Sequence, residues 1–484
     1  MLNAYPDSIG QNLGNLIKWL QNPALKEIFQ SFYILPSMFN SDLDRGFSVI
    51  DYNLNEVLAK KDDLTKLNNL GIALKLDFVI NHASVQSKQF QDILANGENS
   101  IYKDFFIDWN QFWAGCGSKT EAGYINPEPK YLEKMHFRKP GLPLLMVPMP
   151  DGTKKPYWNT FYQSCSLGQM DLNINSPLVW EFYDETLQKL SSYGAEIVRL
   201  DAFAYAPKEP GAGNFLNDPG TWELLSKIRT LADKYSLQLL PEIHAEYREK
   251  IHEKLTLEGY ITYDFFLPGL LIHALEKHTC TYLLNWINDI RQKNIKTVNM
   301  LGCHDGIPVL DLRGLLPEEE IEDIIKIIVG RGGHVKDVQG NKKMYYQVNA
   351  TYFSALGEQQ NKMLLARAIQ IFMPGIPQVW YLDLVGGKND YTAVQQAGEN
   401  GHKEINRTNL SLDHMENALN DELTVKQLEL LRFRNTNPAF GSGAKLSVIG
   451  KEHKFSLQWE NNGNIARLDA DLKSCTYEIS NFSL

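Results

Sequence analysis

Short apolar runs recur along the chain, and some of them turn polar at or just past their ends. Eight of these runs read as strands: residues 2–5, 31–36, 74–80, 196–201, 237–242, 263–267, 297–303 and 377–382. Between them lie stretches whose apolar residues repeat with a helical period. In 179–193, Trp180, Phe182, Tyr183, Leu187 and Leu190 supply one apolar side, and 361–372 has the same character. Strands that alternate with helices predict a parallel sheet. Eight strands with crossover helices predict its closure into a (β/α)8 TIM barrel.

Two connections are too long for a plain crossover. Between His82 and Asp171 the chain carries Trp109, Trp113, Gly117, Pro127, Pro140, Pro143, Pro148 and Pro150, which predicts a domain inserted after the third strand. After Val309 comes an acidic helical start, Glu318-Glu319-Glu320-Ile321-Glu322, then Gly330-Arg331-Gly332-Gly333 and a loop ending in Tyr345-Tyr346-Gln347. That predicts a second insertion, after strand seven. Past Pro438 the pattern changes to alternation over 445–450, 455–460, 466–469 and 476–479, as in a small antiparallel β domain,. The expected organisation is a barrel built from 1–82, 171–309 and 363–437, insertions at 83–170 and 310–362, and a C-terminal β domain at 438–484.

With 484 residues, 43% hydrophobic and 22% charged, the chain has ample material for a large core and the balance of a soluble enzyme,. A net charge of −10 argues against a nucleic-acid surface,. No run approaches the roughly 18 apolar residues of a membrane span. The first residues show no basic region followed by an apolar one, so no signal peptide and a cytoplasmic location are expected,. Cys116, Cys165, Cys280, Cys303 and Cys475 are scattered and odd in number, which predicts reduced thiols,. Their spacing does not suit zinc, and neither metal nor cofactor is expected.

Three carboxylates fall where separate strands end: Asp201 in Val198-Arg199-Leu200-Asp201, Glu242 in Leu240-Pro241-Glu242-Ile243-His244, and Asp305 in Cys303-His304-Asp305. A fourth segment, Asp77-Phe78-Val79-Ile80-Asn81-His82, has the same form. Any one of these acids alone reads equally as a helix N-cap. Together they match a barrel enzyme whose catalytic groups sit at the C-terminal ends of different strands. Two carboxylates flanking a glycosidic bond are what sugar transfer needs. Arg199 precedes Asp201 by two positions, so both share one face of a strand. A cation there keeps Asp201 ionised as a nucleophile, while Glu242 would serve as general acid.

In this order the four segments resemble the signature regions of the α-amylase superfamily. Further motifs resemble its sucrose phosphorylase group over nearly the whole chain. They include Asp44-Arg45-Gly46-Phe47, Arg199-Leu200-Asp201-Ala202-Phe203-Ala204-Tyr205, His304-Asp305-Gly306-Ile307, Tyr346-Gln347-Val348-Asn349, Gly387-Lys388-Asn389-Asp390 and Ile405-Asn406-Arg407. The resemblance implies a retaining glycoside phosphorylase, a monomer or homodimer. It would exchange a glucosyl unit between a sugar acceptor and inorganic phosphate, yielding α-glucose 1-phosphate without pyridoxal phosphate. It assigns Asp201 as nucleophile, Glu242 as acid and base, and Asp305 as a clamp on sugar hydroxyls.

Substrate contacts are implied for Asp44, Phe47, His82, Phe161, Gln169, Arg199, Tyr205, His244, His304, Gln347 and Arg407. Read alone, Asp44 and Arg407 are a surface ion pair, and the histidines and aromatics are core residues. Phosphorolysis also brings an anion into a site full of carboxylates, where each charge pair is worth about 4 kcal/mol at roughly 4 Å and an effective dielectric of about 20. Arg138 and Lys139, in Phe137-Arg138-Lys139-Pro140, together with Tyr346, are implied as the phosphate contacts. Arginine's planar fork of donors suits that ligand.

Fructose is the expected acceptor. Siblings using sucrose 6-phosphate, glucosylglycerol or glucosylglycerate are alternatives, as are a plain α-glucosidase and an inactive sugar-binding protein. Met344 stands where sucrose-using relatives carry an acid, and Tyr346 where sucrose-phosphate relatives tend to carry His. The stretch Gly302-Cys303-His304-Asp305-Gly306-Ile307-Pro308 looks closer to the phosphate-ester relatives.

Overall fold

The computed structural model describes residues 1–138, 141–161, 168–338 and 344–483, with side chains for all of these except 336–338, 344, 399 and 400. Eight parallel strands form the central sheet: β1 (Leu2–Ala4), β2 (Ser31–Ile34), β3 (Ala73–Val79), β4 (Ala195–Asp201), β5 (Gln238–Pro241), β6 (Thr262–Asp264), β7 (Thr297–Met300) and β8 (Ile376–Trp380). Their order, β5-β4-β3-β2-β1-β8-β7-β6, is that of the expected (β/α)8 barrel, with the ladder interrupted only between β5 and β6,.

Most strands stop one or two residues short of their apolar runs, and two stop three residues short. The run 263–267 leaves the sheet at Asp264, whose carboxylate accepts the backbone N–H of Leu267 (2.9 Å) and so starts the helix Leu267–Lys277, with Pro268 in its first turn,. The run 297–303 ends at Met300, because the backbone N–H of Gly302 is taken by Asp383 (2.9 Å) instead of a neighbouring strand.

The barrel interior is polar below the site. Lys75 and Asp77 alternate inward along β3, Lys75 opposite Tyr33 on β2 and Asp77 opposite Arg199 on β4,. The Lys75 ammonium donates to the Tyr263 hydroxyl (2.5 Å) and to Gln378 Oε1 (2.6 Å), and lies 3.8 Å from the centroid of the Tyr33 ring. Burial pushes this amine well below the usual lysine range,.

The first insertion leaves the barrel along His82–Ser84 and returns along Gln169–Asp171, two strands paired antiparallel with His82 opposite Asp171. It carries its own aromatic core of Trp109, Trp113 and Trp158. The neck is locked by Lys208, which follows β4. Its Nζ donates to Asn81 Oδ1 (2.9 Å) and the Tyr205 carbonyl (2.5 Å), and pairs with Asp171 Oδ2 (2.9 Å). Asp171 also accepts the Thr160 hydroxyl (2.6 Å), so this buried ion pair has its remaining bonds satisfied,.

In the second insertion the helix Glu318–Gly330 buries Ile321, Ile324, Ile325 and Ile328. The strands His334–Val338 and Met344–Asn349 pair antiparallel, and Ile307–Pro308 joins them. Past residue 438, β9 (Lys445–Lys451), β10 (Lys454–Asn461), β11 (Asn464–Asp471) and β12 (Thr476–Ser483) form an antiparallel meander. It docks on the helix Gln360–Phe372, where the Trp459 indole donates to the Phe372 carbonyl (2.8 Å). Among the described residues, no helix is long and apolar enough to cross a membrane.

Candidate active site

Arg199 is the hub of the site. Its guanidinium donates from one nitrogen to Asp77 Oδ1 (2.5 Å) and Asp201 Oδ1 (2.8 Å), and its other nitrogen lies 2.6 Å from Glu242 Oε1. One cation thus grips carboxylates from the ends of β3, β4 and β5, and its own side chain is almost wholly buried. Asp77 Oδ2 is held from behind by the Tyr33 hydroxyl (2.8 Å). Past Asp201, Ala202 takes a left-handed φ of +53°, a conformation that costs a non-glycine residue energy,. This turn aims the Ala202 N–H at Glu242 Oε2 (3.5 Å).

Burial is the largest influence on both Asp201 and Glu242 and pushes each carboxyl up,. On Asp201 that push prevails over Arg199, helped by Glu242 and Asp77, and the group lies well above the usual range. On Glu242 the charges of Arg199 and His244 prevail, and the net direction is down. The two acids share Arg199 and influence each other, so they titrate as a coupled pair,.

Asp305 faces a second cluster of basic side chains. Lys403 Nζ lies 2.6 Å from Oδ1, His304 Nε2 lies 3.1 Å from Oδ2, and the Arg407 guanidinium lies 3.7 Å from Oδ1. Against the push of burial, these hold the carboxyl well below the usual range. The backbone of Asp305 is fixed by side chains of the second insertion, its carbonyl accepting from Gln347 (2.7 Å) and Asn349 (2.5 Å). Asp44 pairs with Arg407 (3.5 Å) and lies 3.8 Å from Lys403.

Asp44 and Arg45 both have φ of +46°. At Gly46, φ is +115°, and a Cβ would stand 2.1 Å from the Ser37 nitrogen. Only glycine lets this loop press so closely on the chain after β2, and the press sets Asp44 and Phe47 over the barrel mouth. The Phe47 ring stacks on His304 (5.2 Å, 12°). The Phe47 carbonyl lies 3.1 Å from His82 Nε2. Burial pushes His82 down to about 4, so it is neutral at pH 7.

On the outer side, His244 packs its face on Phe265 (3.9 Å) and its edge on Tyr346 (4.9 Å). Arg138 stands 5.1 Å from the Tyr346 centroid, 5.6 Å from Phe161 and 5.9 Å from Tyr205. Among the described residues it makes no ion pair. Its loop is clasped to the barrel by Asn214, which accepts the His136 N–H (2.8 Å) and donates to the His136 carbonyl (3.1 Å). Gln169 is buried in the neck ribbon. Lys139 lies outside the described residues.

The structure thus gathers Asp201, Glu242, Asp305, Arg199, His304, Asp44 and Arg407 around one mouth, with Arg138, Tyr346 and His244 at its rim. Sequence reasoning left out three residues that belong there. Asp77 had a signal: its inward alternation with Lys75 on a strand predicted beside Arg199. Lys403 and Asp311 had none, since each reaches the site from a loop whose path no local pattern gives.

The α-amylase catalytic domain family matches residues 24–305. The chain is 52% identical to a sucrose 6(F)-phosphate phosphorylase of Ilumatobacter coccineus, over 99% of this chain and 95% of that protein. It is 32% identical to a sucrose phosphorylase of Streptococcus mutans, over 99% and 97% respectively. A crystal structure of sucrose 6F-phosphate phosphorylase from Thermoanaerobacter thermosaccharolyticum superposes with a TM-score of 0.91 at 33% identity, covering 100% of this chain and 97% of that one.

Proposed function

The chain belongs to the α-amylase family and, within it, to the glycoside phosphorylases; on that premise we propose that it cleaves sucrose 6F-phosphate with inorganic phosphate, giving α-glucose 1-phosphate and fructose 6-phosphate. The observation that carries the choice of acceptor is the 52% identity along 99% of the chain to a phosphorylase of that name, against 32% to a sucrose phosphorylase. In this reading Asp201 attacks the anomeric carbon while Glu242 gives its proton to the leaving fructosyl oxygen. The positive charge that develops on the sugar ring favours the ionised form of Asp201, which leaves Glu242 as the partner that delivers the proton. A phosphate oxygen then attacks the same carbon from the opposite face and the bond to Asp201 breaks. Retention follows from two inversions. Two carboxylates on one guanidinium suit the close spacing of retaining enzymes, about 5–5.5 Å. Asp305, Asp44 and Arg407 hold the glucosyl hydroxyls, with Phe47 against an apolar sugar face.

A second reading, free sucrose, is favoured by Tyr346, a neutral phenol at the rim where a phosphate ester gains from a cation. The reaction run backwards separates the two. Glucose 1-phosphate is offered with fructose 6-phosphate, fructose, glycerol or glycerate, and phosphate release is measured. Fructose 6-phosphate should be fastest. Equal or faster release with fructose would overturn the phosphate-ester reading in favour of the second.

A further inference from the structure

Asp311 lies in the short turn Leu310–Leu312 at the start of the second insertion, and it is buried. Its Oδ2 lies 3.1 Å from His244 Nδ1. The turn is tied to the rim strand, since the Val309 N–H donates to the Tyr346 carbonyl (3.2 Å). The other nitrogen of the same ring, Nε2, lies 3.8 Å from Glu242 Oε1. That is longer than a hydrogen bond, so Nε2 is not committed to Glu242,. Phe265 fixes the ring plane from one face, and the Tyr346 edge, with Arg138 beyond it, closes the other side.

We propose that Asp311 is a positioning residue for the phosphate half-reaction: it fixes the His244 ring, and with it a positive charge, between Glu242 and the Tyr346 rim. This rests on the reaction proposed above. Once the fructosyl group has left, phosphate must come to a carbon flanked by Glu242 and Asp305, and each of those carboxylates repels it. A cation held between Glu242 and the rim offsets that repulsion where it is greatest. A carboxylate on Nδ1 both selects the donor form of that nitrogen and steadies the imidazolium.

The charged groups facing His244 agree with this. Burial disfavours its charge, but Asp311, Glu242 and Asp305 together raise its proton affinity above that of an ordinary imidazole. Glu246, two residues on, does not compete, because Arg248 and Arg313 take it. The raised affinity means that the charge is present at low pH and is lost as pH rises through the raised value. Removing the Asp311 charge moves that loss to lower pH.

Asp311→Asn keeps the shape and an acceptor oxygen but not the charge. Three quantities are measured: the histidine ring titration by NMR, kcat/KM for phosphate against pH, and the rate of the first step with α-glucosyl fluoride. The His244 titration should move down. Phosphate use should fall about tenfold at neutral pH and be lost at a lower pH than in the unmodified enzyme as pH rises, with a much smaller loss in the first step. Should that variant fail to fold, His244→Gln keeps a donor without the charge, and its phosphate step should again suffer far more than the first step. Equal losses in both steps would overturn the role. Normal phosphorolysis with an unmoved His244 titration would overturn it while leaving the proposed reaction intact. Free glucose as the sole product of the unmodified enzyme would overturn the reaction and this role together.

Discussion

Replacing Arg138 by Ala tests how the enzyme tells phosphate from water. The Arg138 guanidinium stands among three aromatic rings at 5.1–5.9 Å, with no ion pair among the described residues. Loss of those ring contacts costs the fold about 0.5–2 kcal/mol apiece, which a domain with about 5–15 kcal/mol of stability tolerates. The loss in function is specific. A charge-assisted hydrogen bond to phosphate is worth about 1.5–3 kcal/mol, or roughly tenfold to a hundredfold in the phosphate step. Water needs no such cation, so hydrolysis of the glucosyl enzyme should persist. With sucrose 6F-phosphate at fixed phosphate, the ratio of glucose 1-phosphate to free glucose should therefore fall by that factor. Fluoride release from α-glucosyl fluoride should change far less, because that step precedes phosphate. An unchanged product ratio, or equal losses in both assays, would refute the assignment of Arg138 to phosphate.

Glu242→Gln should abolish turnover of fructosyl substrates yet spare fluoride release, since fluoride leaves without a proton; equal losses in both assays would remove Glu242 from the acid role. Lys208→Met leaves the buried Asp171 carboxylate unpaired and should destabilise the neck by about 3–5 kcal/mol, read as a fall in Tm and early proteolysis within 83–170. Buried Asp264 has its carboxyl pushed up by burial to about 6. Its stabilising protonated form is fully present below about pH 3.8, the unfolded value, and is lost as pH rises through about 6, an effect of roughly 3 kcal/mol. Asp264→Asn should flatten the decline in Tm between about pH 4 and pH 7; an unchanged slope would rule that group out.

Much of this was legible in the chain because the barrel writes itself locally. Each strand is a short apolar run, and two of the proposed catalytic acids, Asp201 and Glu242, stand where such a run turns polar, with Asp305 a few residues past the end of another. The C-terminal meander is likewise plain in its alternation. Strand ends were less so: the run through Phe265 and Phe266 is apolar enough for a strand, yet the chain leaves the sheet at Asp264, whose carboxylate takes the N–H of Leu267 and starts the next helix there. Residues that come to the mouth from loops lay beyond local pattern. Lys403 meets Asp305 across 98 positions and Asp311 meets His244 across 67. These pairings are set by how the loop after the eighth strand and the start of the second insertion fold back over the barrel mouth, which no spacing encodes.

The single guanidinium that holds Asp77, Asp201 and Glu242 also shapes how this site can change over generations. All three acids share one cation, so the effects of exchanging them are not additive,. The first loss in a duplicated copy leaves Arg199 with surplus charge and the surviving acids mispoised. A second loss then costs little further activity. Drift toward a non-catalytic descendant should thus be abrupt at its first step and nearly neutral afterwards. Return is correspondingly hard, because no single restored acid recovers the function of the set.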